Sequence, residues 1–286
     1  MTYAEWHQTW IALYGRSFAP KTLEGYARLF QLLEQLHPVS IDTICPEDIQ
    51  RALISIEQRT GSRQAQLAFS MLHAELGRAE RSRRIPWNPC AALDKPQHVA
   101  RSGRAITGED WEQLRPVIDD ELPFALMAYA GLRRGEVLGL LRADVDLSGQ
   151  LLHIRRQRVR VRGQLITSTP KSSAGCRSVP ITAELLPILT TECRYCLPSA
   201  PLVRCAPETL AHRWQRAQLD AGIAQPYRLH DLRHTFATRL VLAGCNPRIL
   251  QYVIGHSDIQ LTMRTYTHIS AADAAAELSR LAAALH

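Results

Sequence analysis

Lysine is almost absent from this chain, which holds Lys21, Lys95 and Lys171 against 31 arginines. A lysine set beside reactive groups is therefore less accidental here than in an ordinary basic protein. Long apolar runs are missing too, and none approaches the roughly 20 residues a membrane-spanning helix needs. The amino terminus, Met1 to Trp6, has no basic start leading into an apolar core, so nothing in it reads as an export signal. The seven cysteines are odd in number and scattered, which argues against a disulfide framework and fits reduced thiols in a cytoplasm. Cys193, Cys196, Cys205 and His212 offer a zinc set on paper. The second pair lacks the close spacing usual in such sites, so buried or incidental thiols are the better reading and no metal is expected.

What is present fits an ordinary pair of cores: 286 residues, 46% of them hydrophobic, are enough for two domains. The net charge of +7 favours a polyanionic partner. Residues 1–98 carry 11 basic and 10 acidic side chains, and residues 99–286 carry 23 and 17, so the excess lies in the second part.

The first hundred residues have apolar side chains at helical spacing over 3–14, 19–36, 46–58 and 62–81, with breaks near Gly15, Pro38 and Gly61. They predict a small helical bundle over residues 1–90. Pro46 and the acids after it mark a helix start, where the dipole favours negative charge. Arg78, Arg81, Arg83 and Arg84 then lead into a basic linker over residues 91–105. Singly these arginines read as a solvated helix end, and as a cluster beside a linker they are candidates for phosphate contact.

A second domain is expected over residues 106–286. Thr107 to Trp111 looks like a helix entrance, and residues 121–130 form an apolar helix that breaks at Gly131. Arg133 follows at the margin of that core, with Glu136 placed to orient or neutralise it. Residues 151–181 alternate with period two and predict a short antiparallel sheet, with Arg158, Arg160 and Arg162 on one face and Lys171 in a turn. From Leu229 the chain is helical again, and His230 and Arg233, three residues apart, can reach one site. His234 is rotated away from Arg233 and is assigned a packing or supporting role. Asn246 and Pro247 open another helix, Gly255 closes it and His256 follows, while Ser257 and Asp258 can cap a last short helix carrying Tyr266.

An arginine, a lysine, a histidine, a second arginine, a second histidine and a tyrosine, in that order, are parts for breaking a phosphodiester without a metal. The run resembles the tyrosine recombinase (phage integrase) family, most specifically over residues 131–268. The resemblance implies a mainly α fold with a small antiparallel β-sheet: a helical N-terminal core-binding (SAM-like) domain and a mixed α+β catalytic domain. It carries the catalytic roles onto Arg133, Lys171, His230, Arg233, His256 and Tyr266. Tyr266 would attack phosphorus to give a 3′-phosphotyrosyl enzyme, with the two arginines on the phosphate oxygens and His256 positioning the phosphate. Lys171 would protonate the leaving oxygen and His230 would assist proton transfer at the tyrosine. No cofactor is implied.

The same resemblance implies double-stranded DNA with inverted-repeat core sites as partner. It further implies a monomer in solution that forms a homotetramer on two duplexes, with accessory DNA-bending or directionality proteins. The alanine-rich segment 271–286, with Leu278, Leu281 and Leu285 at helical spacing, is expected to dock on a neighbouring protomer. A phage or other mobile element is the preferred setting. Two alternatives stay open at this point: a topoisomerase IB-like relaxing enzyme, and a non-catalytic regulator using residues 244–266 as a helix-turn-helix.

Overall fold

Helix 1 shows how local chemistry sets the elements. In the computed structural model, which describes residues 1–99, 103–106, 108–169 and 175–255, helix α1 (Tyr3–Tyr14) starts at a reciprocal cap. The Glu5 N–H donates to Thr2 Oγ1 and the Thr2 N–H to Glu5 Oε2, at 3.3 and 2.8 Å. Helices α2 (Pro20–Leu32), α3 (Pro46–Thr60) and α4 (Ser62–Arg81) follow. Proline opens α2 and α3, and Gly61, at φ 92°, separates α3 from α4. The helix predicted over 19–36 stops at Leu32 and gives way to a 3-10 turn, Glu34–Leu36. The reason is local: the Phe30 carbonyl accepts from the Leu33 N–H and from His37 Nε2, while the His37 ring stacks on Phe30 at 3.9 Å.

The chain divides into two compact units, Met1–Arg101 and Ser102–His286. The core of the first is built from Trp6, Trp10, Leu33, Ile49, Ile56, Leu72 and their neighbours. Residues of the expected linker belong to this unit: Leu93 packs on that core, and Gln66 and Ser62 of α4 bond Pro96 and His98.

In the second unit, residues 103–106 are held by side chains from later in the same unit. Arg104 lies over the Tyr227 ring at 3.9 Å, and the Ile106 N–H donates to Thr235 Oγ1 at 2.9 Å. Helices α5 (Gly108–Asp120) and α6 (Leu122–Tyr129) come next, and every residue of α6 is buried, as an all-apolar helix must be. Helix α7 (Arg134–Gly139) leads to strands β1 (Val145–Asp146), β2 (Leu151–Ile154), β3 (Gln157–Val161), β4 (Gln164–Ser168) and β5 (Arg177–Pro180).

The single sheet expected from the alternation is two sheets. Strands pair antiparallel as β1-β2-β5, with Leu152 opposite Val179 and Ile154 opposite Arg177, and β3 pairs separately with β4. The β3–β4 turn is Arg162 and Gly163, both left-handed at φ 48° and 80°, a geometry matched to hairpin twist. Arg162 therefore sits in a turn and not on a strand face with Arg158 and Arg160. Helices α8 (Leu185–Cys193), α9 (Pro207–Asp220), α10 (Leu229–Leu242) and α11 (Pro247–Ile254) complete the described part. The apolar α6 packs against α5, α8 and α10, which fixes α10 beside the chain leaving α6. Among the described residues no helix is long and apolar enough to cross a membrane.

Candidate active site

The end of α6 and the start of α7 make a tight corner. Gly131 is left-handed at φ 63°, and a Cβ there would lie 2.4 Å from the Phe236 ring of α10, so only glycine lets the two segments close. Leu132 is buried and Arg133 is extended at φ −73°, ψ 151°, just before α7. Glu136, in the first turn, accepts from the Arg133 N–H at 2.9 Å and from Arg133 Nη1 at 2.8 Å. The carboxylate thus caps the helix and aims the guanidinium at once. Helix α10 opens the same way, with Asp231 accepting from the Arg228 N–H at 2.8 Å and from Arg228 Nη2 at 3.1 Å.

Arg233 is 2% exposed on α10. Its Nη1 donates to the Gly131 carbonyl, and its Nη2 to the Ile254 carbonyl at 2.7 Å. Arg133 Nη2 donates to the next carbonyl, Gly255, at 2.6 Å. The two predicted arginines therefore meet at the carbonyl end of α11, the negative end of its dipole. Asn246 Oδ1 caps that helix at the Arg248 N–H, Pro247 opens it, and Gly255 closes it at φ 69°.

His230 combines an open face with crowded surroundings. Desolvation first, then the positive charges of Arg233, Arg133 and Arg228, push its pKa down to about 4 against the pull of Asp231. Crowding and charge act in the same direction, so the imidazole is neutral at neutral pH. His234 packs flush against the backbone of Gly103, where a Cβ would meet its ring at 3.1 Å.

A third arginine belongs to this cluster. Arg177 on β5 has a side chain 1% exposed; its Nη1 and Nη2 donate to Glu136 Oε1 and Oε2 at 3.0 and 3.1 Å, and its Nε to the Val253 carbonyl at 2.7 Å. Burial pulls the Glu136 carboxyl up, but the hydrogen bonds and charges of Arg177 and Arg133 outweigh it and hold the pKa below the ordinary value. Sequence reasoning missed Arg177. The available signal was its phase: it shares the inward register of Val179 on a short strand.

Lys171, His256 and Tyr266 lie outside the described residues, as does the segment 271–286. Arg81, Arg83 and Arg84 are exposed in the first unit, with Arg84 5.6 Å over the Trp6 ring. Arg158 and Arg160 are half-buried on β3, and Arg160 Nε approaches Glu208 at 3.2 Å. Among the described residues no group of three or more His, Cys, Asp or Glu side chains is placed to hold a metal; Cys193 is buried in the second core.

With this geometry established, comparison with known proteins is decisive. The model of the phage integrase family matches residues 113–273, more than half of the chain. The chain belongs to the phage integrase family. It is a tyrosine recombinase, an enzyme that cleaves and rejoins DNA. The putative prophage phiRv2 integrase of Mycobacterium tuberculosis is 28% identical over 98% of this chain and 78% of its own length. Tyrosine recombinase XerC 2 of Ralstonia nicotianae is 29% identical over 79% of this chain and 70% of its own. Among solved structures, the Tn1549 transposon integrase in complex with a circular intermediate DNA matches with a TM-score of 0.83 at 22% identity, over 98% of this chain and 99% of that one. A lambda integrase dimer bound to a core site matches with a TM-score of 0.69 at 16% identity, over 93% and 95%. These likenesses bear out the fold expected of the recombinase: mainly α, with small antiparallel pairing in the catalytic unit.

Proposed function

We propose that this recombinase acts site-specifically for a phage or other mobile element, cutting duplex DNA through a 3′-phosphotyrosyl intermediate on Tyr266. The observation that supports the reading best is the meeting of Arg133 and Arg233 at the carbonyls of Gly255 and Ile254, one residue before His256, with neutral His230 near enough for both charges to lower its pKa. The names of its relatives, a prophage integrase and the Tn916 transposase of Enterococcus faecalis, support the mobile setting.

In this reading Arg133 and Arg233 bind the non-bridging oxygens of the scissile phosphate, and their charge stabilises the pentacoordinate transition state. The Tyr266 oxygen forms the bond to phosphorus as the bond to the 5′ oxygen breaks. Neutral His230 is able to take the phenolic proton, Lys171 gives one to the leaving 5′ oxygen, and His256 positions the phosphate. A phenol of pKa about 10 needs such neighbours to react at neutral pH. Attack by a partner strand's 5′-hydroxyl on the phosphotyrosine then restores the tyrosine and the diester, with no energy source consumed.

Residues 1–90 serve as a core-DNA-binding domain and residues 106–286 as the catalytic domain, joined through 91–105, with Arg81, Arg83, Arg84, Arg158, Arg160 and Arg162 near phosphates. Four copies assemble on two duplexes with inverted-repeat core sites in the cytoplasm, through segment 271–286 and with accessory DNA-bending proteins. The test is a denaturing gel of nicked duplexes drawn from the DNA flanking the gene, in EDTA. An adduct formed by the wild type and absent with Tyr266→Phe is expected. DNA binding without an adduct contradicts the proposal, as does an undiminished adduct with the variant.

A further inference from the structure

Three guanidiniums bond three successive carbonyls at the end of α11: Arg177 takes Val253, Arg233 takes Ile254 and Arg133 takes Gly255. The Arg177 contact has no place in the reaction as drawn, yet its side chain is buried, with 1% exposed. We infer that Arg177 is a positioning residue for strand cleavage, holding Glu136 so that Glu136 aims Arg133 without cancelling the charge that Arg133 brings to the phosphate.

Charge has to balance in a small buried volume. Glu136 is 2% exposed and accepts from both Arg133 and Arg177. With one arginine alone, the carboxylate and Arg133 would be a neutral pair. A guanidinium locked in such a pair is a weak electrophile toward a phosphodiester, because the attraction at close range in a poorly solvated site is offset by the carboxylate. A second arginine on the same carboxylate leaves a net positive unit. The two interactions are also geometrically distinct. Arg177 is forked across both Glu136 oxygens, at 3.0 and 3.1 Å, which fixes the carboxylate plane. The Arg133 guanidinium reaches only Oε1, through Nη1, and its side chain stays 35% exposed.

Position follows as well as charge. Strand β5, which carries Arg177, and helix α11 are joined by the Arg177 Nε to Val253 bond and by the Ser178 N–H to Tyr252 Oη bond at 3.3 Å. Arg177 therefore ties the strand that follows the Lys171 segment to the helix that precedes His256. Loss of that tie releases the two chain segments on which the untouched catalytic groups are carried. A displacement of about 1 Å at a reacting group is enough to cost on the order of 10²-fold in rate.

This inference rests on the reading that Arg133 faces the scissile phosphate, and its test separates the two. The rate of adduct formation at saturating nicked duplex is measured for wild type, Arg177→Met, Arg177→Lys, Glu136→Gln and the double variant Arg177→Met with Glu136→Gln. The His230 imidazole is titrated by NMR in each, a reading of local charge that needs no cleavage. Arg177→Met is expected to slow cleavage on the order of 10²-fold and to raise the His230 pKa, because Glu136 then neutralises the Arg133 charge that helps hold the imidazole down. Arg177→Lys keeps the charge and is expected to lose less. In the double variant the carboxylate is gone too, so the His230 pKa returns toward wild type and part of the rate is recovered.

A wild-type rate in Arg177→Met overturns the inference. So does a loss that Glu136→Gln fails to relieve with the His230 titration unmoved, which marks Arg177 as a brace of the fold only. If wild type forms no adduct while the His230 titration moves as described, the cleavage proposal fails and the charge balance stands.

Discussion

The two units of this chain handle arginine in opposite ways. In the first, Arg81, Arg83 and Arg84 are exposed at the end of α4, and the buried ionisable pair is His7 with Glu75, at 2.8 Å, with His7 stacked on Phe30 at 4.1 Å. In the second, Arg177 and Arg233 are buried, Arg177 bonded to Glu136 and the Val253 carbonyl and Arg233 to the Gly131 and Ile254 carbonyls. A buried guanidinium is costly unless its donors are satisfied, so a fold that buries two and turns a third toward them has invested stability in holding charge at one place. Exposed arginines cost little and hold nothing rigidly.

The contrast can be broken from either side. Arg233→Ala should abolish most cleavage, by on the order of 10³-fold at saturating DNA, since it removes a donor set aimed at developing charge. Adduct formation in single turnover measures it. His7→Ala should act on stability alone: the buried Glu75 carboxyl loses its partner and Phe30 its stacked ring, costing about 2–4 kcal/mol by urea unfolding, with the cleavage rate of folded enzyme unchanged. If cleavage falls as well, the two units are not energetically separate.

A smaller effect is expected with pH. The His230 pKa is lowered on folding, so the unfolded chain binds the proton first as pH falls. The contribution of neutral His230 is fully present above the unfolded value of about 6.5 and is lost as pH falls toward the folded value of about 4. Between pH 7 and pH 5, thermal unfolding of His230→Gln should therefore lose less than wild type. The smallest effect belongs to the exposed cluster. Arg81→Ala should leave cleavage at saturating DNA unchanged and reduce the salt dependence of binding by a slope of about 0.9, as expected for one phosphate contact. A large cleavage defect there would erase the contrast.

Which of these features could be read in the sequence follows from how local each one is. Helix α4 and the Asn246–Pro247 start of α11 depend on neighbours a few residues away, and periodicity and caps carry them. The early end of α2 does not, because it depends on the His37 side chain reaching back to Phe30. The order of Arg133, His230 and Arg233 was legible as chemistry, and the meeting of the two arginines at Ile254 and Gly255 follows from the packing of α6 on α10. Arg177 was legible only as an inward phase on a short strand and not as a member of the site: its partner Glu136 lies 41 positions away, and an arginine in an inward strand position contradicts the usual preference for apolar residues there. The split into two sheets was hidden for a similar reason, since the partner of β2 is β5, beyond the whole β3–β4 hairpin.

The most direct test of the account is to identify the amino acid joined to DNA. The covalent adduct, formed in EDTA on a nicked duplex, would be digested with protease and nuclease and the modified peptide sequenced by mass spectrometry. The account predicts Tyr266 carrying a 3′-linked nucleotide, with a free 5′-hydroxyl on the released strand. A nucleotide on another residue, such as Tyr252, which is 55% exposed and touches β5 beside Arg177, would contradict it.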